Sequence, residues 1–242
     1  MIRLSTATIL VLLLVAPGVA LASPDYTTDA SLVNAGFAAK SSGDFVTAAQ
    51  DFSIAAKAGN TQAEEQLGGL YLNGQGVAQN CSLAKHWFGL SALQGDTQAI
   101  YNIGVFYEHG ICVPQNYAAA MTLYKAAGQR GWAEADNNVG NMYDQSEGVP
   151  RDDAEAIKWF TLAAAQNNAV AQLNLGLLAE AGLGETRNLV QADMWMRLAT
   201  KNASTSQLKL MCAEKLTALQ ESMTSAQITQ GNALAASWVP HS

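Results

Sequence analysis

The sequence is poor in the residues from which most reaction sites are built. Its 242 residues include only three histidines and three cysteines. His86, His109 and His241 show no ligand spacing with one another or with the cysteines. No glycine-rich phosphate loop follows a strand-like segment, and no carboxylate pair stands out as a general acid and base. We therefore expect no catalytic residues, no metal and no cofactor.

One short motif nevertheless resembles part of an enzyme active site. Ser82-Leu83-Ala84-Lys85 matches the S-x-x-K sequence in which penicillin-binding enzymes carry their acylated serine. The S-D-N and K-T-G partner motifs are missing, and a four-residue pattern at a helix start is easily matched by chance. A cell-wall-related protein of the penicillin-binding or β-lactamase-like kind, a hydrolase or a binding protein, stays as the alternative to the function inferred below.

Low charge and short apolar runs exclude two kinds of partner. The chain has 13 Lys and Arg against 20 Asp and Glu, and its basic residues form no cluster. Such a chain is poorly suited to nucleic acid or to an anionic membrane surface. After residue 22, no run approaches the roughly 18 apolar residues of a transmembrane helix. We expect no nucleic-acid binding and no membrane insertion after signal cleavage.

The first 22 residues have the features of a signal peptide. Arg3 precedes an apolar segment over residues 7–16, and Ala20-Leu21-Ala22 forms an A-x-A cleavage site. No lipobox cysteine follows the site. We predict cleavage after Ala22 and a mature protein in a Gram-negative periplasm or outside the cell.

Most of the remaining chain repeats with a step of 36 residues. The repeated positions are Gly68, Gly104, Gly140 and Gly176; Tyr71, Tyr107, Tyr143 and Ala179; Ala84, Ala120, Ala156 and Ala192; and Trp87, Leu123, Trp159 and Trp195. Four copies in register predict an array of identical supersecondary units. A glycine at one point of every copy indicates close helix packing, because glycine is otherwise unfavourable in a helix interior.

Each copy predicts two helices. Apolar and small residues recur at helical spacing, and the first helix ends in a glycine-rich loop such as Gly74-Gln75-Gly76. The second helix starts after an Asn or Asp that can accept hydrogen bonds from the first amides. These N-cap positions are Asn80, Asn116, Asp152 and Asn188.

The pattern "LGxxYxxGxGV…(D/N)xxxAxxW" resembles the SEL-one-like repeat (SLR), a relative of the tetratricopeptide (TPR) repeat. The third copy fits best, and the fourth departs with Ala179 for Tyr and Glu185 for Val. Residues 23–60 resemble a plain TPR unit with a loop four residues shorter. The resemblance implies an all-α, right-handed α-solenoid with repeats at about 61–96, 97–132, 133–168 and 169–202.

Residues 203–242 predict an atypical pair of helices that caps the array. Leu208, Cys212, Leu216 and Leu219 share one side of the first, and Ile228, Leu234 and Ala235 are expected to face inward on the second. A solenoid needs such a terminal unit to cover its last apolar face.

Two of the three cysteines lie in neighbouring repeats. Cys81 begins a second helix, and Cys112 lies in the loop of the next repeat. We predict a Cys81–Cys112 disulfide, with two separate thiols as the alternative, and a buried free thiol at Cys212. Some cysteine-rich SLR proteins are linked with penicillin binding or hydrolysis, and that resemblance implies a cysteine pair in every repeat. This chain lacks that pattern.

A column of amide side chains is the main functional candidate. It comprises Asn34, Gln66, Asn102, Asn138 and Asn174, each just before the apolar-glycine pair. Similarity to TPR superhelices implies a concave groove in which such amides bind an extended peptide backbone. Tyr101 and Asn141 are neighbouring groove candidates. Hydrogen bonds between repeats are the structural alternative.

We therefore expect a monomeric, secreted or periplasmic protein-interaction adaptor. Its partner is a peptide segment or an envelope protein whose identity the sequence does not give.

Overall fold

The computed structural model describes residues 26–240, with side chains from residue 30 onward, and within them all regular structure is α-helical. The segment predicted as a signal peptide lies outside the described residues. The helices are α1 (Tyr26–Ser41), α2 (Phe45–Lys57), α3 (Thr61–Asn73), α4 (Cys81–Leu93), α5 (Thr97–His109), α6 (Tyr117–Gly128), α7 (Ala133–Asp144), α8 (Asp153–Ala165), α9 (Ala169–Ala181), α10 (Leu189–Asn202), α11 (Ser206–Glu221) and α12 (Ser225–Ser237).

The helix boundaries follow the 36-residue step. The first helices begin at Thr61, Thr97, Ala133 and Ala169, in the same register. The second helices begin with the predicted caps, as where Asn80 Oδ1 accepts from the amide nitrogens of Ser82 and Leu83 at 3.0 and 3.1 Å. These bonds satisfy amides that have no partner within the helix.

The first helices end in left-handed residues at one register position. Gly74, Gly110 and Gly182 have φ of 66°, 69° and 72°. The third repeat has Ser146 there, with φ 61°. Glycine adopts this conformation without the steric penalty that a side chain brings. The repeat that fits the family pattern best therefore departs from it at this loop position.

The chain forms two compact units, one up to Ala126 and one from Ala127 onward. In the first unit, Phe52, Leu67 and Leu70 are almost fully buried with several alanines. In the second, Phe160, Leu175 and Trp195 form one cluster, and Cys212 and Leu219 are buried in another. Alanines make up much of both cores, which allows the helices to lie in close contact.

Aromatic rings rest on three of the four repeated glycines, and Met196 rests on the fourth, Gly176. A Cβ atom built on Gly68 would lie 2.9 Å from Phe88 Cδ2, and one on Gly140 would lie 2.6 Å from Phe160 Cδ1. Gly104 has the same relation to Tyr124, at 2.7 Å. The contact is made by the residue after the predicted tryptophan column, from the second helix of the same repeat. Close packing at these glycines is therefore observed.

The last two helices cover α10 with a polar contact as well as an apolar one. Asp193 of α10 is fully buried, accepts from Arg197 Nε at 2.6 Å and accepts from Gln220 Nε2 of α11 at 2.6 Å. Gly231 of α12 packs directly on Asp193. The expectation for Leu234 was wrong: its side chain is 40% exposed, because the inward face of α12 is centred on Gly231 instead.

Candidate partner-binding amides

In the first unit, column amides surround a buried glutamate. Glu65, only 8% exposed, accepts at Oε1 from Gln98 Nε2 (3.0 Å) and from Asn102 Nδ2 (3.3 Å). Its Oε2 accepts from Gln66 Nε2, and Gln66 Oε1 accepts from Lys40 Nζ at 2.5 Å. We call Glu65, Gln66, Gln98 and Asn102 the first amide cluster. It ties α3 to α5, so part of each amide's capacity is used between repeats.

The electrostatics of this cluster follow from burial. Desolvation raises the pKa of Glu65, and the negative charge of Asp96 raises it further. Hydrogen bonds from Gln66 and Gln98 and the charge of Lys40 act in the opposite direction. The donors therefore compensate in part for a carboxylate that lies almost out of water.

The second unit contains a matching arrangement without charge. Asn174 Nδ2 donates to Asn137 Oδ1 (3.3 Å) and to Asn141 Oδ1 (3.2 Å), and Asn137 Nδ2 donates to Asn138 Oδ1 (3.5 Å). We call these four residues the second amide cluster. In both clusters a column amide donates a hydrogen bond to a side chain of the preceding repeat. The acceptor is the residue just before the column position of that repeat. The geometry is thus a property of the repeat.

The other predicted groove residues have separate surroundings. Asn34 of α1 is exposed. Tyr101 is half-buried, and its ring lies tilted on that of Tyr124, with centroids 5.5 Å apart. Tyr124 itself is fully buried and donates its hydroxyl proton to Glu108. The structure therefore joins Gln66 and Asn102 in one cluster and Asn138, Asn141 and Asn174 in another.

A second polar column was missed by sequence reasoning. Glu64, Asp136 and Gln172 are buried at the same register of their first helices. Each accepts from an amide 30 residues later: Gln94 at 2.8 Å, Gln166 at 3.5 Å and Asn202 at 3.0 Å, respectively. Gln94, Gln166 and Asn202 keep the 36-residue register, which is the signal that could have revealed them.

Burial raises the pKa of both carboxyl groups in this second column. It raises the pKa of Glu64 to about 8, with the charge of Asp96 adding to the rise and the Gln94 hydrogen bond opposing it. Burial alone raises the pKa of Asp136 to about 6. Burial therefore shifts both carboxyl groups toward their protonated forms, and the shift is larger for Glu64 than for Asp136.

The structure joins Cys81 and Cys112 by a disulfide, with Cα atoms 5.1 Å apart, and leaves Cys212 as a buried free thiol. Cys112 has φ 60°, and the same loop position is glycine in the other repeats. There, a Cβ on Gly76 would lie 2.0 Å from the carbonyl oxygen of Phe45, the residue that corresponds to Cys81. The disulfide therefore occupies a place where other repeats bring glycine against backbone.

The S-x-x-K residues have ordinary surroundings at the start of α4. Ser82 is exposed, and Ala84, between it and Lys85, is fully buried. Across residues 26–240, no three or more His, Cys, Asp or Glu side chains are grouped as a metal ion would require. In the same part of the chain, no helix has the length and apolar character needed to cross a membrane.

Two solved structures resemble this fold over most of the chain. One is c5321, a protective antigen present in uropathogenic Escherichia coli strains, with 27% identity and a TM-score of 0.74. The match covers 86% of this chain, which spans only 44% of the length of that protein. The other is a Sel1 repeat protein from Oxalobacter formigenes, with 23% identity, a TM-score of 0.73 and coverage of 86% and 87%. No curated protein matches the chain.

The family model for the Sel1 repeat matches four consecutive segments, residues 61–96, 97–132, 133–168 and 169–204. Together they cover more than half of the 242 residues. Proteins built from Sel1 repeats generally mediate protein–protein interaction and are typically scaffolds without enzymatic activity. The SLR resemblance is thus confirmed. The chain belongs to the Sel1 repeat family.

Proposed function

We propose that this protein is a secreted or periplasmic interaction adaptor that binds an extended peptide segment of an envelope protein through the column amides of its amide clusters. The observation that carries the proposal is the repeated pairing of a half-buried column amide with the preceding repeat. Asn102 and Asn174 are held in place by these bonds and still reach solvent. A side chain fixed before binding loses less conformational entropy when a ligand arrives.

The amides retain capacity for a ligand. Asn102 uses one N–H toward Glu65, and no hydrogen bond within residues 26–240 uses its Oδ1. Asn174 uses its Nδ2 toward two neighbours, which leaves its Oδ1 as an acceptor. Asn102 can therefore accept from one peptide N–H and donate its second N–H to one peptide C=O, and Asn174 can accept from one peptide N–H, regardless of the ligand's sequence. Backbone recognition is therefore the chemistry that this column favours.

Residues beside the column supply the selectivity. The position before the column holds Glu65, Tyr101, Asn137 and Leu173, a different side chain in every repeat. Glu65 and Asn137 take part in the two clusters, and Tyr101 is half-buried beside Asn102. A ligand on the first unit meets an acidic and an aromatic group beside the column, and a ligand on the second unit meets an amide and a leucine, so each unit selects different side chains.

The proposed adaptor is secreted, and its mature form is a monomer. The A-x-A site at Ala20-Leu21-Ala22 supports export, since signal peptidases act on small residues at that spacing. Expression of the full chain in a Gram-negative host should give a periplasmic protein whose first residue is Ser23. Ala22→Arg is the control that should block cleavage, and cytoplasmic retention of intact wild-type chain would contradict export.

Backbone recognition can be tested on the ligand itself. Peptides that bind the mature protein are first selected from a random display library and then synthesised with single N-methyl groups along the chain. Because an N-methyl group removes one backbone donor and leaves the side chain, losses at consecutive or alternate positions are expected. Alanine scanning of the same peptide is the control. If only side-chain changes weaken binding, the amide clusters do not read the backbone.

A further inference from the structure

Two departures of the fourth repeat from the family pattern share one cavity. Ala179 stands where the other repeats have Tyr71, Tyr107 and Tyr143, and Glu185 stands where they have Val77, Val113 and Val149. Both Ala179 and Glu185 line a cavity of about 180 Å³ in the second unit. The sequence differences and the empty space therefore coincide.

The corresponding place in the first Sel1 repeat is a wider and more open depression of about 530 Å³, and the tyrosine forms part of its wall. There, Tyr71 and Val77 line the surface together with Ala49 and Ser53. Ala49 and Ser53 correspond in register to Ile157 and Thr161, which line the cavity of the fourth repeat. Tyr71, Tyr107 and Tyr143 are all half-buried. At this position Ala179 contributes only a methyl group to the wall, where Tyr71 contributes a ring.

The walls of the cavity suit an aromatic ring. Leu175, Trp195 and Trp238 contribute apolar surface, and the two indole rings meet edge to face with centroids 4.7 Å apart. Trp238 follows α12, so the last helix brings an aromatic wall to the place where the repeat tyrosine is missing. Glu185, Thr186 and Gln191 add polar groups to the lining. An apolar protein cavity of about 150 Å³ is known to accept benzene, so the volume is sufficient for one ring.

We propose that this cavity binds a single phenolic ring, the chemistry of a tyrosine side chain. The ring lies beside Ala179, where the other repeats carry their own tyrosine ring, and stacks on Trp195 and Trp238. Its hydroxyl group donates to an acceptor of the polar lining, Glu185 or Thr186. The ring comes from a free phenol or from a tyrosine of a partner, and the two sources share this chemistry.

The probe for a free phenol is p-cresol, titrated into the mature protein and followed by backbone amide NMR. Saturable shifts are expected for residues of α9 and α10 and for Trp238. Ala179→Tyr places its own ring in the cavity and should weaken p-cresol binding roughly tenfold or more, because the two rings compete for the same space. Ala181→Tyr places the same ring on an exposed position of α9 and is the matched control; it should bind p-cresol like the wild type.

Further variants and ligands test which chemical group binds and where the ring comes from. Ala179→Leu fills the same space with a flexible side chain and should also abolish binding, so the test does not depend on the folding of one variant. A blocked Gly-Gly-Tyr-Gly-Gly peptide that gives the same shifts as p-cresol identifies a partner's tyrosine as the source, and shifts by p-cresol alone identify a free phenol. Equal binding of 4-methylcyclohexanol, unchanged binding to Ala179→Tyr, or no saturable shift with p-cresol would each overturn the proposal.

Discussion

A missing Cβ atom allows the two helices of one repeat to touch. Gly68 and Gly69 are neighbours on α3, yet only Gly68 faces a ring: a Cβ there would lie 2.9 Å from Phe88 Cδ2, and one on Gly69 would meet nothing within 4 Å. Phe88 is 3% exposed and cannot move aside freely. The effect of each glycine on stability therefore depends on whether another side chain packs against it.

This pair gives a prediction with an internal control. Gly68→Ala should destabilise the protein by about 1–3 kcal/mol, because the added methyl group overpacks the core. Gly69→Ala should stabilise it by about 0.4–1 kcal/mol, because alanine restricts the unfolded chain and favours the helix. Urea denaturation of both variants measures the two effects. Equal effects of the same sign would mean that Gly68 does not mark a close contact.

Glu64 makes the stability depend on pH. Its folded pKa is about 8, against 4.5 for an ordinary glutamate, so the folded state holds a proton that the unfolded state releases. The stabilisation is complete below pH 4.5 and is lost as the pH rises toward 8. Asp136, with a pKa of about 6 against 3.8, should contribute a loss of the same sign at lower pH.

We therefore expect the melting temperature to fall between pH 5 and pH 9. Glu64→Gln keeps an acceptor for Gln94 and carries no charge, so its melting temperature should fall less and should exceed that of the wild type at about pH 8.5. Asp136→Asn should flatten only the earlier part of the decline. Thermal unfolding followed by circular dichroism at several pH values measures this. Parallel curves for wild type and Glu64→Gln would refute the role of Glu64.

At the scale of elements, the disulfide ties the start of α4 to the loop after α5. Its cysteines are 31 residues apart, and closing a loop of that length stabilises a protein by about 3–4 kcal/mol on the chain-entropy description. Cys112 has φ 60° where other repeats have glycine. Two ways of removing the bridge should therefore differ in their effect.

Cys81→Ser and Cys112→Gly both abolish the disulfide, and both should lower the melting temperature. Cys112→Gly should cost less stability than Cys81→Ser, by about 1 kcal/mol, because glycine tolerates the left-handed conformation that a side chain disfavours. Reduction of the wild type should bring it to the level of Cys81→Ser, and mass mapping without reductant should recover the linked peptides. A wild type that is insensitive to reductant and yields free Cys81 and Cys112 would contradict the bridge.

The helices and their contacts within a repeat were the features best predicted from the sequence. The 36-residue step predicted the helical pairs, their N-caps and the close approach at Gly68 and Gly140, because identical contacts recur in every repeat. The column of Glu64 and Asp136 was missed, since its members differ in chemistry and one repeat has Ile100 there. Periodicity in the sequence reveals positions at which every repeat has the same residue type. It does not reveal positions at which the residue types differ but all accept a hydrogen bond.

At the scale of the whole molecule, the two units differ at their ends. In the second unit, α11 and α12 follow the last repeat, and their packing could not be predicted from register because nothing repeats there. Gly231 and the exposed Leu234 lie after the last repeat, and the buried Asp193, which Gly231 contacts, stands at a repeat position that holds a different residue type in every copy. The cavity beside Ala179 was equally hidden, because its wall includes Trp238 from far along the chain.

The amide clusters carry the proposed function of the molecule, and each amide has a structural bond as well. Asn102 and Gln98 both donate to Glu65 Oε1, at 3.3 and 3.0 Å. Only Asn102 belongs to the repeated column. Asn102→Ala and Gln98→Ala are therefore a matched pair, because each removes one donor from the same buried carboxyl group.

The most direct test measures the free energy of unfolding and the Kd for one selected peptide in both variants. The adaptor proposal predicts similar losses of stability, about 0.5–1.5 kcal/mol each, because each variant loses one hydrogen bond. It predicts that Asn102→Ala weakens peptide binding by roughly twofold to tenfold more than Gln98→Ala, since only Asn102 contacts the ligand backbone. Unchanged Kd in both variants, with stability lost in both, would show that the column only joins the repeats.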